Sequence, residues 1–542
     1  MNLRTYLLSF FTVVMLSVNA QWLRAQSNSV DPTQQISKVA QTYYYLNNYY
    51  LDTLNFPSIT DRVLQGIVKE LDPHSLYISA KDVKAMSEPL EGNFDGVGVE
   101  FALILDTLTV QATVPGGPSE KVGIRAGDKI VKVDEEVISG TGLTIERVHG
   151  YLRGKKGTKV TVAIKRKGVE GLIDFTITRD KIPLNSLDAS YVIENDIVYL
   201  KLSRFAATSY KEIMEALNKL RVAPKGIILD LRGNSGGYLV EALKIANEFL
   251  NRGELILYTE GRTVKRTNEY ATGSGTLKNV PVTVLIDENS ASASEIVSGA
   301  IQDWDRGIVI GRRSFGKGLV QQQLPLQDGA QLRLTIARYH TPSGRVIQTP
   351  YEQGDAEGYY KKTIERYVRG EQFNKDSIQM PDSLKYKTLK LGRTVYGGGG
   401  IMPDIFMPQD TSFYTPFYGE IVRKGTLTDF VNSYIDINRA KLESKYKSAA
   451  KFASNFEVTP ELFNDFIAFA KESGIEPKEE QIAISKAEFV KYIKAFILRG
   501  LFDFNTYLEY INATDEEVLK AVEVLLSLPH SSKRRLISSC IH

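Results

Sequence analysis

Three serines crowd the segment Asn289-Ser-Ala-Ser-Ala-Ser-Glu295, directly after an apolar run that ends at Asp287. Apolar residues then recur at Ala293, Ile296, Val297, Ala300, Ile301 and Trp304, the spacing of a helix that buries one face. A serine at such a strand-to-helix junction meets the unpaired amides of the first helical turn. Two uses fit it. Ser292-x-x-Glu295 has the pattern of a capping box, in which the hydroxyl satisfies an orphan amide. The same hydroxyl is a nucleophile once a base takes its proton. No histidine lies close enough in sequence to be that base, but Ser314-Phe-Gly-Lys-Gly318 follows the next predicted strand and offers Lys317. Neighbouring strands bring such loops together. The amine must be neutral to act, so its pKa, about 10.4 in water, has to fall by roughly two to three units, as burial allows. Glycines on both sides of Lys317 permit close backbone approach.

A third loop, Asp230-Leu-Arg-Gly-Asn-Ser-Gly-Gly237, follows the apolar strand Gly226–Asp230 and precedes a helix. Its amides suit an oxyanion hole. Its glycines do not fall as G-x-G-x-x-G, so a dinucleotide loop is excluded, and the competing reading is a plain glycine-rich turn. Phosphate binding is the competing use of Lys317, because Gly311 to Lys317 fits the first seven positions of a Walker A loop. The eighth position fails: Gly318 stands where a hydroxyl must ligate magnesium, and Leu319 to Leu324 reads as a strand where a helix should start.

The elements that must hold these loops alternate between strand and helix from Asn185 to about Asp404: strand Ile197–Leu202, helix Ser209–Leu220, strand Gly226–Asp230, helix Leu239–Leu250, strand Val282–Ile286, helix Ala291–Asp303 and strand Ile308–Gly311. That order implies an α/β core. From Asn93 to Lys181 the pattern is instead short alternating strands broken by glycines, with one helix near Thr144 to Arg153. A tyrosine-rich helical segment, with Tyr43, Tyr44, Tyr45, Tyr49 and Tyr50 expected to pack, precedes it, and a charged helical stretch with heptad-like spacing follows Asp404. The domains expected are a signal peptide (1–25), an N-terminal helical region (26–90), a glycine-punctuated β domain (91–182), the α/β core (183–410) and a C-terminal helical extension (411–542).

With 542 residues, 43% hydrophobic and 24% charged, the chain exceeds a single core. A formal charge of +3 from 67 basic and 64 acidic residues leaves no electrostatic footprint for nucleic acid. The five histidines never pair at i,i+4, so a zinc site of the H-E-x-x-H kind is excluded, and neither metal nor cofactor is expected. Cys540 is the single cysteine and forbids an internal disulfide. Arg4 followed by the apolar stretch Leu7 to Val18, with small residues near Ala20 and Ala25, reads as an export signal. An uncleaved N-terminal anchor is its alternative. The location expected is periplasmic or otherwise exported, and membrane-associated if the segment stays.

Taken in order, Leu71-Asp-Pro-His-Ser75, Gly96-Val-Gly-Val-Glu100, Asp230-Leu-Arg-Gly-Asn234 with Gly236-Gly237, Ser290-Ala-Ser-Ala-Ser-Glu295, Phe315-Gly-Lys-Gly318, Thr341-Pro-Ser-Gly-Arg345 and Gly400-Ile-Met-Pro-Asp404 resemble the motifs of the C-terminal processing peptidases, or tail-specific proteases. The likeness covers about residues 31 to 410. It implies a multidomain α+β protein, with a ClpP/crotonase-like α/β protease core, an inserted PDZ domain and helical regions at both ends. By position it implies Ser292 as nucleophile, Lys317 as general base and Gln321 as the residue orienting it. Ala293 with Gly236 or Gly237 would supply oxyanion amides, and Asp303 and Glu295 would stand nearby in support. Gly96, Val97, Gly98 and Val99 would form the loop that takes a peptide's terminal carboxylate. The partners implied are polypeptides with accessible C-terminal tails, with an adaptor or a second copy at the C-terminal helices. His74 departs from the family's frequent tyrosine, and nothing past Asp404 is covered. A non-enzymatic scaffold built on the same PDZ domain is the alternative function.

Overall fold

Successive side chains of a strand point to opposite faces, so apolar runs without alternation, such as Gly226–Asp230 and Val282–Ile286, require cover on both sides. The computed structural model describes residues 32–104 and 106–527, and the expected export segment and Cys540 lie outside them. Six strands form the central sheet in the order Leu187–Val192, Ile197–Leu202, Gly226–Asp230, Val282–Ile286, Ile308–Gly311 and Ile405–Phe406. The first pair is antiparallel and all later pairs are parallel.

On one face Val198, Leu200, Leu229 and Val284 pack against the helices Ser209–Leu220, Leu239–Phe249 and Ala293–Asp303. On the other, Tyr199, Ile228, Leu285 and Ile310 pack against Val518, Ala521, Val522 and Leu525 of the helix Glu516–Ser527. The second cover comes from residues that the sequence reading assigned to an extension beyond the core. Gly226 shows how tight this seam is, since a Cβ there would sit 3.1 Å from Leu525. The helix Phe504–Asn512 joins in: Asn512 donates to Tyr191 Oη at 2.7 Å, and Asn505 accepts the Ser190 amide at 2.7 Å.

A second, antiparallel sheet stands beside the first, with Leu76–Ile78, Gln331–His340, Leu255–Glu260 and Thr267–Tyr270 in order and Leu319–Pro325 paired to Gln331–His340. It carries the residues around Lys317. The stem pair Asn93–Gly96 and Asp180–Pro183 brackets an inserted module. Within it Val99–Ile104, Thr107–Thr113, Lys129–Val133, Lys159–Lys165 and Ile173–Thr178 form one antiparallel sheet, and Ile145–Leu152 is its main helix. Thr144 caps that helix by accepting the Arg147 amide.

The helices from Pro416 to Leu501 surround a phenylalanine-rich core that includes Phe430, Phe466 and Phe489. This is a globular helical body, since the apolar residues converge from several helices onto one centre. It holds the inserted module through Lys129 and Asp436, paired at 2.9 Å, and through Lys167, which donates to the Ile437 carbonyl at 3.3 Å.

Among the described residues, those up to Gly66 form a separate unit. There the tyrosines expected to pack mostly do not: Tyr43 lies against Phe56, whereas Tyr44, Tyr45, Tyr49 and Tyr50 are exposed. Four tyrosines in the seven helical positions 43–49 run around the cylinder, and a 3.6-residue period turns only one stripe of them to one side.

Phe489 is fully buried against Phe417, Tyr418 and Phe466. Phe489→Ala is expected to destabilise the helical body by about 3–5 kcal/mol, read as a lower midpoint in urea denaturation followed by far-ultraviolet circular dichroism.

Candidate active site

The loops after Gly226–Asp230 and Val282–Ile286 are stitched to each other by buried polar groups. Asp287 Oδ1 accepts the amides of Asn289, Ser290 and Gly233 at 3.1, 3.0 and 2.9 Å. Ser290 Oγ donates to the Leu231 carbonyl and Ser294 Oγ to the Asn234 carbonyl, both at 2.8 Å. The first and third serines are therefore buried and committed to holding the loops. Ser292, between them, is half-exposed and lines a cleft of about 1440 Å³.

Ser292 has φ 55° and ψ −111°, a conformation that costs a non-glycine residue energy. It is also the N-cap of the helix Ala293–Asp303. The capping and nucleophile readings thus describe one residue, and the strained turn is the device by which α/β hydrolases expose a serine at a strand-to-helix corner.

Glu295 completes the cap and does more. Its Oε2 accepts the Ser292 amide at 2.8 Å and the Lys317 amide at 2.9 Å; its Oε1 accepts the Ser314 hydroxyl at 2.5 Å and the Gly316 amide at 2.7 Å. One buried carboxylate joins the serine loop to the lysine loop. Burial pushes this carboxyl up to about 7, against the four donors that favour its anion. Tyr339 Oη adds a second tie, lying 3.2 Å from the Ser292 carbonyl and 2.8 Å from that of Lys317.

Lys317 is half-buried, and its Nζ donates to Gln321 Oε1 at 3.1 Å. No hydrogen bond joins Nζ to Ser292 Oγ among the described residues. Burial draws the lysine below its ordinary value of 10.5, the nearby Arg333 charge draws it further, and Glu295 and Asp72 oppose both. Gln321 is itself fixed by donating to the His74 carbonyl. That carbonyl is set by the Asp-Pro turn, where Asp72 Oδ1 accepts the amides of His74 and Ser75 at 2.9 Å. His74 is pulled down to about 4, by burial first and then by the Lys317 charge, and its neutral ring faces Tyr359 Oη at 3.2 Å. Lys317 is followed by the strand Leu319–Pro325 where a phosphate loop would run into a helix, so a phosphate loop has no frame here.

Gly236 and Gly237 differ in what their amides do. The Gly236 N–H donates to Asn234 Oδ1 at 2.9 Å, whereas those of Gly237 and Ala293 meet no protein acceptor among the described residues. Gly236 nonetheless packs directly against the serine loop: a Cβ on it would lie 2.8 Å from Ser292 Cβ and 2.9 Å from the Ala291 carbonyl. Asp303 corrects an expectation. It sits at the far end of the Ser292 helix, ion-paired to Arg345 at 2.7 Å and accepting the Ser343 amide at 2.9 Å, and does not line the cleft. Eleven residues of helix separate it from Ser292, about 16 Å at 1.5 Å per residue. Tyr339, Arg333 and Tyr359 went unread in the sequence, where each is a single residue on a strand or helix with no motif around it, and Asp287 was read only as the end of its apolar run.

In the inserted module Gly96 ends a stem strand, and Val97 is buried with its carbonyl accepting the Ser119 amide and hydroxyl at 3.1 and 2.7 Å. Gly98 has φ +74°. Val99 then opens the strand Val99–Ile104, which lies at the edge of its sheet. No strand pairs with its outer edge among the described residues, and the helix Thr426–Lys445 also lies against it.

Comparison with known proteins sets this geometry in context. Residues 196–356 match peptidase family S41, residues 109–166 match the PDZ domain, and residues 417–503 match a family of unknown function. The carboxy-terminal-processing protease of Bartonella bacilliformis is 35% identical over 344 residues, 62% of this chain and 78% of that protein. The carboxy-terminal processing protease CtpB of Bacillus subtilis is 30% identical, covering 67% and 73%. The solved photosystem II D1 C-terminal processing protease is 28% identical, covers 57% of this chain and 83% of that one, and superposes with a TM-score of only 0.33.

Glu295→Gln keeps the volume but turns an amide NH2 toward amide and hydroxyl donors. Covalent labelling of Ser292 by a serine-directed electrophile, followed by intact mass, is expected to slow about 100-fold. Gly236→Ala, with no room at φ +105°, should abolish labelling.

Proposed function

Because this chain belongs to the carboxy-terminal processing proteases of peptidase family S41, we propose that Ser292 and Lys317 are its nucleophile and general base. It is a serine-type peptidase with a PDZ domain, and its substrates are polypeptides carrying C-terminal tails. Family membership favours the protease over a non-enzymatic scaffold. The observation that carries the dyad is the single Glu295 oxygen that accepts both the Ser292 and the Lys317 amides.

A substrate tail adds as a strand along Val99–Ile104, with its terminal carboxylate at the Gly96–Val99 loop, and the extended chain enters the cleft. Neutral Lys317 donates one N–H to Gln321, which leaves its lone pair to accept the Ser292 proton as the hydroxyl attacks a peptide carbonyl. The Oγ–Nζ contact, absent at rest, forms as substrate engages. The oxyanion is held by the Ala293 and Gly237 amides, which have no other acceptor, while Gly236 supports the loop. Lys317 passes its proton to the leaving amine. Water then attacks the acyl-enzyme with Lys317 again as base, and Ser292 Oγ leaves and takes back the proton from Lys317.

We propose the ClpP/crotonase-like class for the core on the strength of its parallel strands, helical crossovers and a serine at the head of a helix. Export of the chain, cleavage of a signal within 1–25 and a periplasmic, membrane-proximal location are proposals that rest on the Arg4 and Leu7–Val18 pattern. An adaptor or a second copy would dock through exposed apolar side chains of the C-terminal helices, such as Val422 and Ile484.

Wild type, Ser292→Ala and Lys317→Ala, each with a chelator present, are to be incubated with an unfolded test protein bearing an apolar tail. Wild type is expected to cut despite the chelator and both variants to fall to background, with tail binding retained. Cutting by Ser292→Ala would refute the assignment. Lys317 must lose its proton and Glu295 must stay ionised, so both shifts act in one direction. The expected kcat/KM rises with pH through about 7 and levels off at a pH below 10.5.

A further inference from the structure

The oxyanion loop and the lysine loop each begin with an arginine five residues before the working group: Arg232 before Gly237, and Arg312 before Lys317. Both guanidinium groups reach the far face of the central sheet, and both meet one carboxylate there. Glu517 Oε2 accepts from Arg232 Nη1 at 2.7 Å, and Glu517 Oε1 accepts from Arg312 Nη1 at 2.5 Å. Glu517 lies in the first turn of Glu516–Ser527, outside the stretch that matches the peptidase family. Asp230 and Asp515 complete the shell of Arg232, and Glu288 that of Arg312.

We propose that Glu517 is a positioning residue for peptide-bond cleavage: by tying both arginines to one carboxylate it sets the separation of the Gly237 amide from the Lys317 amine. The inference rests on the Ser292–Lys317 reading above and extends it to a part of the chain for which no role is assigned. Attachment of this helix does not require the carboxylate. Val518, Ala521, Val522 and Leu525 already bury its apolar face, and a largely buried ion pair is a poor source of stability compared with apolar packing. What the bidentate carboxylate supplies is geometry. It spans two strand ends with the Val282–Ile286 strand between them, each of its oxygens held by a different loop. Glu295 joins the serine loop to the lysine loop from the buried core behind the cleft, and Glu517 joins the oxyanion loop to the lysine loop from the far face of the sheet.

The test uses the full chain as wild type, Glu517→Gln, Arg312→Gln and the double variant. Active sites are counted by titration with a serine-directed electrophile, and kcat and KM are measured per titrated site. Glu517→Gln is expected to lose about 100-fold in kcat, the scale of a displacement near 1 Å, with KM and tail-peptide binding within about twofold of wild type. The double variant should lose little more than the worse single variant, because both sever the same tie. Arg312→Gln carries the test if Glu517→Gln does not fold. Wild-type kcat per titrated site in Glu517→Gln or Arg312→Gln, even with a lowered melting temperature, would overturn the proposal and leave the dyad standing. A wild type that is neither titrated at Ser292 nor active would overturn the dyad and this proposal with it.

Discussion

A carboxylate with no exposed surface, Glu295, accepts hydrogen bonds from the backbone of the serine loop and from the backbone of the lysine loop, and the site depends on it. Taking a carboxylate out of water costs several kcal/mol, and four donors offset that cost only while they stay in place. The penalty for moving any donor away therefore works as a restoring force on both loops. The strained φ of Ser292 is held by the same bonds. Because burial raises this carboxyl to about 7, the framework of the site is itself sensitive to protonation.

Around that anchor the protein divides its polar groups by depth. Ser290, Ser294, Asn234 and Asp287 are buried and knit loop to loop. Ser292, Lys317 and Gln321 stand at the cleft with polar atoms still available. The lysine is kept in poor solvent by a wall from the second sheet, which brings Arg333 and Tyr339 to the same cleft, while His74 enters from the turn before Leu76–Ile78 as a neutral neighbour. Burial and the Arg333 cation both disfavour the charged amine, and together they outweigh the opposing pull of Glu295 and Asp72.

The inserted module and the catalytic sheet are both gripped by the C-terminal helices, through Asp436 on one side and Asp515, Glu517 and the apolar face of the last helix on the other. Tail capture and cleavage are thus built on a shared frame. The uninterrupted apolar strands demanded a cover for the second face of the sheet, and the chain meets that demand from nearly 300 residues away.

Local order is what the sequence alone determined here. The core strands Ile197–Leu202, Gly226–Asp230, Val282–Ile286 and Ile308–Gly311 stand where apolar runs and turn residues put them, because such elements answer to near neighbours in the chain. The motifs likewise pointed to Ser292, Lys317 and the glycines of 236–237, since each loop carries its own chemistry in a few consecutive residues. Tertiary structure alone decided that the flanking serines are buried in loop ties, which glycine amide is free, that Asp303 lies about three turns of helix away, that Tyr339 and Arg333 line the cleft, and that Glu517 meets both arginines on the far face of the sheet. Those facts turn on contacts between residues tens to hundreds of positions apart, and a one-dimensional pattern does not encode the distance between two side chains that meet only when the sheets and helices close around them.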